Sequence, residues 1–266
     1  MTASSDRDAQ DQFLRERHRP AHARRRADRW AAFLLPHLRP GMRLLDVGCG
    51  PASITAGLAT AVSPGLTVGV DFDPARTEGT TINVAAARGE QLPFADASFD
   101  AVFACAVLQH VTDPDVIVRE MRRVARPGAV VALADADWDG YLVHPSDPLL
   151  ERGQEVLRAL RSTGDPTVGK RLRDLLAANG LVDAVATATT SSDGGAGTEA
   201  AGGFRAASFE APSAVALAES LGVSTATEMA TIADAWRRWG ASPGAFFAGF
   251  WVEALAWVPA DAAGHR

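Results

Sequence analysis

The chain is short of several residue types, and each shortage removes a class of protein. It has two cysteines, Cys49 and Cys105. Both sit in apolar, strand-like surroundings, so neither a disulfide framework nor a zinc site with cysteine spacing is expected. There is one tyrosine, Tyr141, and one lysine, Lys170; the other 25 basic residues are arginine. No apolar run approaches the length of a membrane span. The first twenty residues, MTASSDRDAQDQFLRERHRP, lack the apolar stretch of a secretory signal. The expectation is a cytoplasmic protein without metal or membrane partner. No excess of positive charge is present either: the formal net charge is −6. An acidic total argues against nucleic acid as the partner.

What is present is an ordinary globular composition, 47% hydrophobic and 22% charged over 266 residues, enough for one sizeable core. Residues 1–11 read as disordered. Residues 12–29 hold a dense arginine cluster with His18 and His22, read here as a solvated helix face rather than an anion site. RWAAFLLPHLRPGM reads as an amphipathic helix end stopped by Pro40 and Gly41.

From there apolar strands alternate with helices. Strands are expected at 43–48, 66–72, 81–86, 99–108 and 129–137, with helices at 53–62 and 114–125. Continuous apolar, β-branched runs separated by helices indicate strands buried on both faces, hence a doubly wound parallel α/β sheet. The second half is less regular. Helices are expected in DPLLERGQEVLRALRS and VGKRLRDLLAANGL, and at about 210–221 and 225–239. LVDAVATATTS is a sixth strand candidate and 244–258 a closing strand. SSDGGAGTEAAGG, 191–203, reads as a flexible linker. There is no internal repeat.

The stretch LLDVGCGPASIT, 44–55, carries the functional signal. A buried strand ends in Asp46, then Gly48 and Gly50 remove side chains just where ligands approach the strand ends of open α/β sheets. This predicts a bound nucleotide-like group. The dinucleotide fingerprint lacks its third glycine, because Pro51, Ala52 and Ser53 follow, and no triphosphate loop is present. A nicotinamide oxidoreductase is therefore disfavoured. Asp71 ends the second strand some twenty residues on, the spacing suited to holding ribose hydroxyls.

LLDVGCGPASIT, VGVDFDP, GEQLPFADASFDAVFACAVLQHVTDP and REMRRVARPGAVVAL together resemble the class I S-adenosylmethionine-dependent methyltransferases, most closely the branch related to ubiquinone and menaquinone biosynthesis. The resemblance covers about residues 30–140. It implies a Rossmann-like, mostly parallel seven-stranded sheet with a helical lid inserted before the last strand. In its terms 1–38 is an N-terminal helical segment, 39–140 the cofactor-binding core and 141–266 the completion of the sheet with the lid, in a single structural domain. The cofactor would be S-adenosylmethionine, with S-adenosylhomocysteine as product. Asp46, Gly48, Cys49 and Gly50 would line its methionine part, Asp71 its ribose and Phe72 its adenine. Glu90 and Gln91 would stand near the adenine amino group and Cys105 at the fourth strand's end. The interval between Asp71 and Gly89 is shorter than in the family, and Ala52 stands where a third glycine is common.

Methyl transfer needs the acceptor held in line with the methyl carbon, and a base when the acceptor is protonated. His110 and Asp137, after strands four and five, are the candidate catalytic residues. Each also has a structural reading: His110 bonding backbone, and Asp137 capping a turn. Asp135 follows the same strand. Trp138, Tyr141, His144, Phe247 and Trp251 are candidate acceptor contacts, against the commoner fate of aromatics as core. The linker at 191–203 would let the lid move. The acceptor is expected to be a small molecule, such as a specialised metabolite, with the O, N, S or C atom open and the chain a monomer or homodimer. Alternatives are a cofactor-binding protein that transfers no methyl, as regulator or cyclase, and an RNA methyltransferase.

Overall fold

A computed structural model describes residues 23–73, 75 and 80–260. The expected disorder at 1–11 and the arginines up to Arg19, with His18 and His22, fall outside the described residues. Seven strands form one sheet in the order β3-β2-β1-β4-β5-β7-β6. They are β1 Leu44–Val47, β2 Thr67–Asp71, β3 Asn83–Ala86, β4 Phe99–Cys105, β5 Ala125–His144, β6 Val182–Asp193 and β7 Phe246–Trp257. β1 pairs in parallel with β2 and β4, β2 with β3, and β4 with β5. The doubly wound sheet read from the apolar runs is therefore present. Strand order reverses between β1 and β4, the position at which such sheets leave a crevice at the carboxyl ends of the strands.

The helices are α1 Ala27–Trp30, α2 Ser53–Val62, α3 Pro114–Val124, α4 Pro148–Ala159, α5 Leu172–Ala178, α6 Thr198–Glu210, α7 Pro212–Ser220 and α8 Ala226–Ala241. α3 shows why these segments coil where they do. Asp113 caps it by accepting from the Asp115 N–H, and Pro114 fills its first turn, where no N–H is needed. Ile117, Val118, Met121 and Val124 then fall on one buried stripe. α4 repeats the device with Asp147 and Pro148.

The chain forms two compact units. The sheet unit comprises 23–136, 167–189 and 251–260 of the described residues; the helical unit comprises 137–166 and 190–250. In the sheet unit one core lies among Leu45, Val102, Val118, Met121 and Leu133. Another lies among Leu34, Leu44, Leu58, Phe103 and Leu255. The helical unit has its own core of Leu157, Phe209, Ile232, Trp236 and Trp239.

Three expectations need correction. Residues 191–203 are not a flexible linker: β6 runs to Asp193 and α6 begins at Thr198. Gly202 there serves close packing, since a Cβ on it would stand 2.6 Å from the Trp236 carbonyl oxygen and 2.9 Å from Gly240 Cα. Residues 29–42 are not one helix. α1 stops at Trp30 and only a 3-10 turn, Leu35–His37, follows, because Pro36 and Pro40 supply no N–H for an α-helical ladder. β5 is longer than 129–137. Its register shifts between Phe99↔Ala125 and Ala101↔Val130. Pro127-Gly128 thus sits in an irregularity within the strand, with Gly128 at φ +79.

Candidate functional site

The turn after β1 is tied to β2. Gly48 and Cys49 donate backbone N–H bonds to the Val70 carbonyl at 2.7 and 2.9 Å. The Gly50 N–H reaches Oδ2 of buried Asp71 at 2.9 Å. The other Asp71 oxygen accepts from the Asp73 N–H at 3.0 Å. Each oxygen retains a lone pair for a further donor. Gly48 and Gly50 have positive φ, +72 and +51. They differ in surroundings: a Cβ on Gly48 would collide with the Val107 side chain, whereas a Cβ on Gly50 would meet open space. The turn therefore presents bare backbone to a cavity at Gly50. Ala52, at φ +56, leads into α2.

Asp46 is buried in β1, and its Oδ2 accepts from the Thr55 hydroxyl at 2.6 Å. Burial pushes its carboxyl up to about 7, opposed by the Thr55 bond and assisted by the nearby charge of Asp71. Cys49 packs under β2, where a Cβ on Gly69 would stand 2.6 Å from its sulfur. Burial pushes its thiol up as well, so the thiol stays neutral.

β3 runs beside β2 with Asp71 opposite Ala86. The next residues, Arg88 to Gln91, therefore leave the sheet at the same end as Asp71. Glu90 is exposed, 3.8 Å from Arg88, and Gln91 is exposed. Phe72, beside Asp71, is 45% exposed. The loop that follows is pinned from α3. Arg123 donates to the Leu92 and Phe94 carbonyls, at 3.0 and 2.9 Å, and to Asp96 and Glu120. Glu120 in turn accepts from the Leu92 N–H at 2.9 Å.

Within β5, beside the carboxyl end of β4, buried Asp135 accepts three backbone N–H bonds. Oδ2 takes those of Leu108 at 2.8 Å and Gln109 at 3.2 Å, and Oδ1 takes that of Ala136 at 3.0 Å. Asp135 thereby clamps the 3-10 turn Leu108–His110, which His110 ends half-buried. Burial raises the Asp135 carboxyl to about 7; the three N–H donors and the charge of Arg25 hold it from going higher. Cys105, buried at the end of β4, has its thiol raised to about 12 by burial despite Arg25. Neither cysteine is a nucleophile at neutral pH.

Arg25 corrects the reading of the arginine cluster as a solvated face. Arg24, Arg26 and Arg29 are exposed. Arg25 is not: its guanidinium lies 4.3 Å from the Trp30 ring centroid and 5.1 Å from that of Trp251. Those two indoles meet edge to face at 4.6 Å. Trp251 thus belongs with the sheet unit. Neither Arg25 nor Trp30 was singled out by sequence reasoning, because a run of arginines carries no sign of which one turns inward.

The remaining candidates lie in the helical unit. Asp137 is buried and accepts from the Asp139 N–H at 3.0 Å, which is the turn-capping role. The Trp138 ring lies under the Arg161 guanidinium at 4.0 Å. Tyr141 stacks on Phe247 at 6.2 Å with planes 10° apart. The exposed His144 offers its carbonyl to Trp239 Nε1 at 2.9 Å. Arg205 stands 4.0 Å above Phe247 and pairs with Asp193 at 2.8 Å. Tyr141, Phe247 and Trp239 thus form one aromatic group, while Trp251 falls outside this unit. Among the described residues no group of three or more His, Cys, Asp or Glu is placed to hold a metal, and no helix is long and apolar enough to cross a membrane.

Residues 45–133, from β1 to β5, match the family described as a methyltransferase domain. That stretch of the chain is thus similar to methyltransferase domains. An uncharacterized methyltransferase of Schizosaccharomyces pombe is 35% identical over 171 residues, 57% of this chain and 61% of its own length. The 27-O-demethylrifamycin SV methyltransferase of Amycolatopsis mediterranei is 34% identical over 145 residues, half of each chain. The chain spans about half the length of these curated relatives. Among solved structures, Haemonchus contortus phosphoethanolamine N-methyltransferase 2, bound to phosphomonomethylethanolamine and S-adenosylhomocysteine, has the same fold at a TM-score of 0.53. That match is 17% identical and covers 87% of this chain and 52% of the other. The stretch that matches the family, 45–133, contains the glycine turn, Asp71, the loop bearing Glu90 and Gln91, and Cys105.

Proposed function

We propose that this protein transfers a methyl group from S-adenosylmethionine to a small-molecule acceptor. One observation carries the reading: a glycine turn with open space at Gly50, hydrogen-bonded to buried Asp71 at the strand-order switch of a methyltransferase domain. The residues present fit the cofactor. Gly50 leaves room against backbone, Asp71 keeps acceptor capacity for ribose hydroxyls, and exposed Phe72 offers a face for a purine. When bound, the cofactor supplies a methyl group already activated by a sulfonium. The chain's own task is to bind, to orient and to hold protons.

Asp46 and the Gly48–Gly50 turn hold the amino-acid end in this reading, and Glu90 and Gln91 face the base. His110, on the turn clamped by Asp135, is the candidate for accepting a proton from the acceptor. Asp137 is the second candidate, although its carboxylate already caps its own turn. Tyr141, Phe247 and Trp138 are candidate acceptor contacts of the helical unit. An oxygen acceptor on a specialised metabolite is favoured by the named activity of the Amycolatopsis relative.

Calorimetric titration with S-adenosylmethionine and S-adenosylhomocysteine tests the reading. Both bind the native chain. Gly50→Ala adds a Cβ that touches no protein atom, at a strain cost of about 1 kcal/mol for alanine at φ +51, which urea unfolding reads separately, and loses both ligands because that methyl group occupies their place. No binding to the native chain, or unchanged binding to Gly50→Ala, refutes the assignment. Candidate phenol and alcohol acceptors are then screened with His110→Ala and Asp137→Asn to place the base.

A further inference from the structure

Arg25 has an arrangement that stability alone does not explain. Its guanidinium is held between two indoles, Trp30 and Trp251, at 4.3 and 5.1 Å. Trp30 and Trp251 pack in the same cluster as Cys105 and Ala106, at the carboxyl end of β4, and Ala134, opposite Cys105 within β5. Among the described residues the guanidinium makes no hydrogen bond and no ion pair. Asp135, whose charge acts on Arg25, turns its oxygens to the N–H groups of Leu108, Gln109 and Ala136 instead. Partial burial disfavours the charge on Arg25, and Cys105 and Asp135 offset this only in part. An always-charged fork with five donors, half-buried between two indoles and given stacking but no protein acceptor, is prepared for an anion.

We infer that Arg25 is a carboxylate-binding residue, its guanidinium fixed by Trp30 and Trp251 to grip the carboxylate of the bound cofactor or of the acceptor. A carboxylate is favoured over a phosphate because the other basic residues of the segment, Arg24, Arg26 and Arg29, are exposed. One guanidinium neutralises one negative charge and matches the two oxygens of a carboxylate in a fork. The indoles hold the planar group in place, so little freedom is lost on binding. The inference rests on the methyltransferase reading and adds to it the recognition of a specific group.

The test compares native protein, Arg25→Gln and Arg25→Lys by calorimetry. The probes are S-adenosylhomocysteine, its decarboxylated analogue, and benzoate added to the S-adenosylhomocysteine complex. If the cofactor supplies the carboxylate, the native chain prefers S-adenosylhomocysteine to the analogue by about 10- to 100-fold. Arg25→Gln then loses that preference by weakening S-adenosylhomocysteine alone, and Arg25→Lys recovers part of it. If the acceptor supplies the carboxylate, Arg25→Gln binds S-adenosylhomocysteine normally but no longer binds the benzoate that the native complex takes up. Two results overturn the inference: Arg25→Gln matching the native chain with every probe, or weakening S-adenosylhomocysteine and its analogue equally, as a purely structural residue would. Should Arg25→Gln fail to fold, Arg25→Lys and the native preference between the two cofactor probes decide in the same way. Failure of the native chain to bind S-adenosylhomocysteine at all overturns the methyltransferase reading, and this inference with it. Binding without any role for Arg25 overturns this inference alone.

Discussion

Gly202 and Gly203 are adjacent in α6 and should respond to the same substitution with opposite signs. Both lie in a helix interior, where glycine to alanine gains about 1 kcal/mol in backbone terms. A Cβ on Gly203 meets no atom within 4 Å, so Gly203→Ala keeps that gain. A Cβ on Gly202 would lie 2.6 Å from the Trp236 carbonyl oxygen, 2.9 Å from Gly240 Cα and 3.1 Å from the Gly240 nitrogen. All three are backbone atoms of α8, so no side chain can swing aside and the two helices must part. Such overpacking costs about 1–3 kcal/mol, and contacts this short to backbone put it at the upper end. The net expectation for Gly202→Ala is a loss of about 2 kcal/mol, against a gain of up to about 1 kcal/mol for Gly203→Ala. Urea unfolding followed by tryptophan fluorescence reads both, since Trp236 and Trp239 sit on α8 itself. Equal midpoints for the two variants would mean that 198–203 is the loose linker its composition suggests, and would refute the helix crossing.

The other expectations concern the sheet unit. Asp71→Ala leaves the N–H groups of Gly50 and Asp73 without their acceptor, costing about 1–3 kcal/mol for the buried one and abolishing cofactor binding in calorimetry; full affinity would remove Asp71 from the site. Arg123→Ala frees the Leu92–Asp96 loop from its carbonyl and carboxylate bonds. The expected loss is about 2 kcal/mol in thermal unfolding, and Arg123→Lys recovers only part because a single ammonium cannot fork. Asp46 and Asp135 both have carboxyl groups raised by burial to about 7. Below that pH the folded chain holds protons that the unfolded chain, with ordinary carboxyls, releases above about pH 4. Stability of the free protein therefore falls as pH rises from about 4 to 7. Asp46→Asn, which still accepts from Thr55, flattens the fall and raises the melting temperature at pH 8; a pH-independent melting temperature would refute the shifts.

The elements that sequence reasoning located are those whose signal is local. α2 was bounded at both ends, 53–62, by the glycine turn before it and Ser63-Pro64 after it. α3 announced itself through Asp113-Pro114 and an apolar stripe at helical spacing. β1 and β4 are buried at every position, which leaves the continuous apolar runs of a parallel sheet. The failures occurred where distant backbone decides. Gly202 serves a helix crossing with Gly240, some forty residues away, and a glycine-rich string looks the same whether it packs or wanders. β5 begins before its expected start at 129 because the pairing that spans Pro127-Gly128 is a register shift against β4, invisible in β5's own residues.

The candidate site divides along the same line. Gly48, Gly50 and Asp71 were legible because backbone approach and strand-end position demand particular residue types at fixed spacing, and the structure joins them in one hydrogen-bonded unit. Asp135 was noticed only alongside Asp137 after its expected strand. Two of its three backbone donors belong to a turn 26 and 27 residues earlier, so nothing near it in sequence distinguishes it from Asp137. Arg25 is the harder case. Its neighbours in the chain are also arginine, and what sets it apart is Trp251, over two hundred positions away, closing on the ring of Trp30. A charge becomes informative when its surroundings withhold the usual partner. Stacked by two indoles and left without a carboxylate, this arginine says more about the ligand than Arg24, Arg26 and Arg29, which are exposed.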